Sequence, residues 1–237
     1  MSEEWTILMI TAASIGFLHT LLGPDHYIPF IMMAKVRKWS LSRTCLITVL
    51  CGVGHVGSSV LLGIIGIALG IAVTKLEIVE TFRGNLAAWA LIAFGFVYFV
   101  WGLRRARRLK PHEHPHIHPD GASHVHVHNH MSDHLHIHDA EDSSNITPWI
   151  LFVIFVLGPC EPLIPILMYP AAKESVTGLI AVTAVFGSVT ILTMLGIVVA
   201  SSWGLHLISM KPLERYSHAL AGGAIFLCGL AIEYLGL

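Results

Sequence analysis

Long apolar runs separated by short polar ones dominate this chain of 237 residues. A hydrocarbon core of about 30 Å takes about 20 apolar residues as helix. Six stretches reach or approach that length: 6–34, 46–74, 86–103, 148–172, 176–205 and 219–237. The pattern predicts an all-α membrane protein with six transmembrane helices. The first and fourth stretches carry Gly and Pro in mid-span, at Gly23-Pro24 and Gly158-Pro159. Proline removes a backbone hydrogen bond and kinks or breaks a helix. In a membrane that is tolerated only where the freed backbone faces protein or a water-filled cavity. Two broken helices are therefore expected.

Composition sharpens the membrane reading. Only 12% of residues are charged and the mean hydropathy is +0.71, against about a quarter charged in an average soluble domain. A net charge of -1 gives no basic field for nucleic acid. The four cysteines lie in or beside apolar stretches with no CxxC pair, so a disulfide-stapled secreted fold is not expected. The start, Met1 to Trp5, lacks a positive n-region. The first apolar stretch is accordingly expected to stay in the mature protein. Eleven Lys and Arg fall in the first, third and fifth loops and three, Lys75, Arg83 and Lys173, in the second and fourth. The richer side is expected to be cytoplasmic, with both termini outside. Membrane lipid and metal ions are the expected partners, with a metallochaperone or a second copy of the chain as further candidates, and no nucleic acid.

The two broken stretches resemble each other. Leu22-Gly23-Pro24 matches Leu157-Gly158-Pro159, and an Ile-Pro follows in each, at Ile28-Pro29 and Ile164-Pro165. Each opens a block of three spans, and three is odd, so the second block is inverted relative to the first. The predicted organisation is a three-helix repeat over 1–104, a cytoplasmic His-rich loop over 105–146, and a second three-helix repeat over 147–237. Inverted repeats with paired broken helices are a transporter signature, with the binding site near the midplane.

Ionisable groups inside the apolar stretches are few, and each is expensive enough to be a functional candidate. They are His19, Asp25 and His26 in the first, His55 in the second, and Cys160 and Glu161 in the fourth. Imidazoles with carboxylates suit a divalent transition metal. Other roles stay open: His19 as a hydrogen-bonded core histidine, Asp25 and His26 as an ion pair, His55 as a packing residue among Gly54 and Gly57. Glu161 can be a proton-coupling carboxylate, and Cys160 a soft ligand, a packing residue or a redox thiol. Glu233 is expected at the interface with no special role.

The middle loop alternates histidine with other residues: His112, His114, His116, His118, then His124, His126, His128, His130, then His134, His136, His138. Extended chain has a side-chain period of two, which puts each run of histidines on one face. Such tracts bind metal with exchangeable ligand sets. The expected role is metal buffering at the cytoplasmic mouth, not the transport site.

The stretch from His19 to Asp25-His26 resembles the first metal signature of the nickel/cobalt permeases and of their efflux and urease-accessory relatives. Five residues separate His19 from Asp25 here, where the family pattern has four. Gly54-His55 is similar to the family's Gly-His-Ser, with Val56 in place of Ser. Gly158-Pro159-Cys160-Glu161-Pro162 is similar to a Pro-Cys motif of the wider superfamily, which includes the thiol–disulfide electron carriers of cytochrome c biogenesis. The resemblance implies a six-helix transporter of two inverted repeats in a prokaryotic inner membrane. It implies Ni²⁺ or Co²⁺ as cargo, with Zn²⁺ also open, no prosthetic group and no enzyme activity. Two rivals remain: an electron carrier, which needs a second thiol beside Cys160, and a small-anion exporter of the sulfite type, which Asp25 and Glu161 oppose. No GxxxxGK[ST] nucleotide loop is present.

Overall fold

The computed structural model describes residues 3–108, 112–117, 123–128, 146–173, 175–207 and 211–236. Among the described residues, eight α-helices carry the fold. Helix α1 (Glu3–Leu22) meets α2 (Ile28–Arg37) through one 3-10 turn, Pro24–His26. Helices α3 (Leu41–Ala68) and α4 (Val73–Arg108) follow. After the loop, α5 (Ile146–Leu157) and α6 (Leu163–Ala172) flank a second break, and α7 (Val176–Leu207) and α8 (Ser217–Leu235) complete the chain. Within the loop, two strands, β1 (His112–Ile117) and β2 (Ser123–His128), pair antiparallel. Their register sets His112 opposite His128, His114 opposite His126 and His116 opposite His124. His118, His130, His134, His136 and His138 lie outside the described residues.

Among the described residues, five helices are long and apolar enough to cross a membrane: α1, α3, α4, α7 and the stretch containing α8. Large apolar side chains point outward along them. Phe82 is 69% exposed, Val97 66%, Leu192 65% and Leu227 63%. A soluble protein rarely leaves such a belt bare, and lipid covers it at no cost. The chain is an all-α integral membrane protein. Both breaks fall at the Gly-Pro pairs, as proline chemistry requires.

Helix α4 is longer than its apolar stretch. Hydropathy starts the third span at residue 86 and leaves Lys75 and Arg83 in a loop, but the helix begins at Val73. Arg83 is a helical residue with a side chain only 17% exposed, paired with the fully buried Glu80 one turn earlier. Two opposite charges at this spacing neutralise each other, so the helix runs through them. Arg83 is thus not a loop charge, contrary to the sequence expectation.

The tightest packing is between α4 and α8. A methyl on Gly95 would lie 2.7 Å from the Phe226 Cα, on Gly102 2.8 Å from the Ala219 Cα, and on Gly222 2.6 Å from the Phe99 Cα. A methyl on Gly229 would lie 2.9 Å from the Ile92 N. Partners on α8 descend from 229 to 219 as α4 ascends from 92 to 102, so the pair is antiparallel. Each level sets a glycine against a larger residue, and small residues are what let membrane helices approach. Both helices share one pattern, Gly-x3-Phe-x2-Gly, at Gly95, Phe99, Gly102 and at Gly222, Phe226, Gly229. Elsewhere α1 packs on α7, α3 on α5 and α7, α2 on α8, and α6 on α7 and α3. Buried threonines close their hydroxyls onto the preceding turn: Thr20 donates to the Gly16 carbonyl at 2.8 Å and Thr48 to that of Thr44 at 2.9 Å.

Candidate metal site

The first break creates the site. Pro24 offers no N–H, so α1 ends, and its last bond runs from Gly23 N–H to the His19 carbonyl at 3.0 Å. The freed Leu21 carbonyl accepts from the Tyr27 hydroxyl at 3.3 Å. The 3-10 turn then swings His26 inward, leaving it 2% exposed.

His26 is held by its own backbone neighbours. Its Nδ1 lies 2.9 Å from Asp25 Oδ1 and 3.1 Å from the Gly23 carbonyl oxygen. Both partners are acceptors, so the proton belongs on Nδ1 and the lone pair on Nε2. That Nε2 faces His55 Nε2 at 3.3 Å. The other side of the His55 ring faces the end of α5: a methyl on Gly158 would sit 3.4 Å from His55 Nδ1, and the Phe155 ring has its centroid 6.2 Å away. The third ring, His19, has its centroid 4.7 Å from that of His26 and 6.1 Å from that of His55. One nitrogen from each of His19, His26 and His55 falls within 4.8 Å of the others. The His19 Nε2 is buried and makes no hydrogen bond.

This donor set fits a transition metal. Two nitrogens bound at 2.0–2.1 Å in tetrahedral geometry lie about 3.3 Å apart, the separation found between His26 and His55. An unpartnered buried nitrogen asks for an explanation, and a cation shared by the three rings supplies one. Asp25 would then be the carboxylate that orients a ligating imidazole.

The imidazoles line a cavity of about 330 Å³ between the two breaks and the end of α8. Asp25, Asn85, Glu161 and Glu233 also line it, and among the described residues no Lys or Arg does. The structure therefore brings together His19, Asp25, His26 and His55, with Glu161 on the wall of the same cavity. Cys160 is not brought there. Its side chain is fully buried in an apolar cluster with Ala12, Val56, Leu163 and Phe186. Its backbone N–H, rather than its thiol, is engaged in polar contacts. Glu233, expected to sit idle at the interface, instead lines the cavity and has a buried, unpartnered Oε2.

A polar network that the sequence reading missed lies beside the second break. Glu80 accepts from Ser59, from the Cys160 N–H and from Arg83. Comparison with protein-family models, curated proteins and solved structures gives no match.

Proposed function

We propose that this protein is a membrane transporter of divalent transition-metal ions, with Ni²⁺ or Co²⁺ as the cargo its signature residues favour. The carrying observation is the convergence of three imidazoles within 4.8 Å at a helix break inside the membrane-embedded fold. His19, His26 and His55 would ligate the ion and Asp25 would orient His26. Three ligands leave coordination positions for water, as release on the far side demands. The carboxylates Asp25 and Glu161 on the cavity wall attract a cation and oppose an anion.

The reading takes the architecture as two inverted three-helix repeats, in which α1–α2 and α5–α6 each count as one broken span. Three observations support it. Gly23 and Gly158 are separated by the same number of residues as Gly52 and Gly187. A methyl on Gly52 would meet Ile191, and one on Gly187 would meet Val56, reciprocal contacts across α3 and α7. The shared Gly-x3-Phe-x2-Gly pattern packs on itself across α4 and α8. By the same spacing, the counterpart of His55 is the fully buried Thr190, and those of Asp25 and His26 are Cys160 and Glu161. One half thus carries the imidazoles. The two halves rocking about the cavity would give alternating access. The His-rich loop, on the cytoplasmic side of a prokaryotic inner membrane, would buffer the cargo for a metallochaperone.

An electron carrier, which needs a second thiol beside Cys160, gains no support, because Cys51 and Cys228 lie in a different apolar cluster from Cys160. The full chain, reconstituted in liposomes that hold a metal-quenched dye, tests the function. Ni²⁺ or Co²⁺ should enter, and His26→Ala should abolish entry. Flux that survives His26→Ala would refute the assignment of the path.

A further inference from the structure

We propose that Glu80 and Arg83 are positioning residues for the imidazole site, clamping the α5–α6 break in place of its missing helical hydrogen bond. In an unbroken helix the Cys160 N–H would donate to the Val156 carbonyl, four residues back. The Gly158-Pro159 break separates the two groups. The Val156 carbonyl instead accepts from Arg83 Nη2 at 2.8 Å. The Cys160 N–H donates to Ser59 Oγ at 3.0 Å and to Glu80 Oε2 at 3.2 Å. Glu80 and Arg83 are themselves ion-paired one turn apart on α4. One side-chain pair therefore takes both ends of the bond that the break leaves unmade.

The clamp also reaches the site. Arg83 Nη2 donates to Ser58 Oγ at 2.7 Å, and Ser58 Oγ donates to the His55 carbonyl at 2.9 Å. A single hydroxyl thus joins the guanidinium to the backbone of a ligating residue. The clamped segment is the one that abuts the His55 ring, through Gly158 and Phe155. On the other side, a methyl on Gly84 would sit 2.9 Å from Pro159 Cγ, so α4 bears directly on the break.

The first break has no such device. Its freed carbonyl takes the neutral hydroxyl of Tyr27. A buried ion pair adds little net stability over an apolar pair of similar volume, so stability does not account for Glu80 and Arg83. The geometry they impose does: α3, α4 and the break are fixed at one height and tilt, and His55 with them. The link to metal rests on the proposed transport function, whereas the clamp on the break does not.

The test uses the full chain in lipid nanodiscs and the double variant Glu80→Met/Arg83→Met, which leaves no uncompensated buried charge. Two quantities are read: amide hydrogen exchange, and Co²⁺ binding by visible absorption, counting only the signal that His26→Ala removes. Exchange at residues 157–161 should rise at least about ten-fold, with the α4–α8 pair unchanged, because an exposed amide loses its protection. Co²⁺ affinity should fall about ten-fold, the lower range for residues that orient ligands. Unchanged exchange at 157–161 overturns the clamp. Faster exchange with unchanged Co²⁺ affinity overturns the positioning role. No His26-dependent Co²⁺ signal in the parent overturns the metal reading, while faster exchange would still uphold the clamp. If the double-Met chain does not fold, Glu80→Leu/Arg83→Leu, which likewise offers the break neither donor nor acceptor, carries the same test.

Discussion

Asp25→Asn isolates what the carboxylate beside His26 contributes. Asp25 Oδ1 and the Gly23 carbonyl both lie within hydrogen-bond reach of His26 Nδ1, at 2.9 and 3.1 Å. The carbonyl stays in the variant and still requires the proton on Nδ1. The asparagine is therefore expected to turn its own oxygen toward that proton, and the lone pair on Nε2 is kept. What is lost is the charge, not the tautomer. Loss of a carboxylate that orients a metal-bound imidazole costs 10–100-fold in affinity. With the tautomer preserved, the lower end applies: about ten-fold, or about 1.4 kcal/mol. The assay is a Co²⁺ titration of the full chain followed by visible absorption, with the His26→Ala trace subtracted so that the loop histidines drop out. Two results would refute the reasoning. Binding abolished as fully as in His26→Ala would make Asp25 a ligand in its own right. Binding equal to the parent would mean that the Asp25–His26 contact has no part in holding the ring.

Other substitutions probe the packing and the second break. Gly95→Ala and Gly222→Ala each force a methyl into the facing backbone, which overpacking places at about 1–3 kcal/mol each. Because the separation that admits one methyl also admits the other, the double variant should lose less than the sum in a thermal unfolding series. Strict additivity would argue against the close approach. Cys160→Ser should leave Co²⁺ flux unchanged, since the thiol lies in an apolar cluster away from the cavity. A small loss of thermal stability from burying a hydroxyl is expected beside it.

Both helix breaks were legible in the sequence because proline acts locally. Gly23-Pro24 and Gly158-Pro159 end their helices whatever surrounds them. The imidazole cluster was legible in part: His19, His26 and His55 stood out as polar groups in apolar stretches. Their convergence was not, because the turn at Pro24–His26 resets the helical phase and spacing no longer tells which way a ring points. The same reset hid the direction of Cys160, which stands beside a cavity residue yet faces the core. Arg83 was read as a loop charge, and Glu80 drew no reading, because hydropathy counts charges one at a time. Their i,i+3 spacing, with no Gly or Pro between Val73 and Arg83, was the available sign that one helix contains both. The Gly-x3-Phe-x2-Gly pattern escaped notice because its separation differs from that of the Gly-Pro pairs.

The interlock of α4 with α8 has a mechanical consequence. At four successive levels a glycine receives the backbone of the facing helix, so neither helix can roll without driving a side chain into a main chain. Sliding by one turn is equally blocked, because it would set Phe99 against Phe226; the glycines recur every seven residues, so the smallest step that brings them back under larger residues is two turns, about 10.5 Å. The pair therefore behaves as one stiff beam through the membrane. In the proposed transport cycle, the cavity would open and close by bending at the weak points left over, the two short-helix elbows at Gly23–Tyr27 and Gly158–Pro162. The beam carries one wall of each elbow, with Gly84 against Pro159 and α8 against the Pro24–His26 turn, so motion at one elbow would press on the wall of the other.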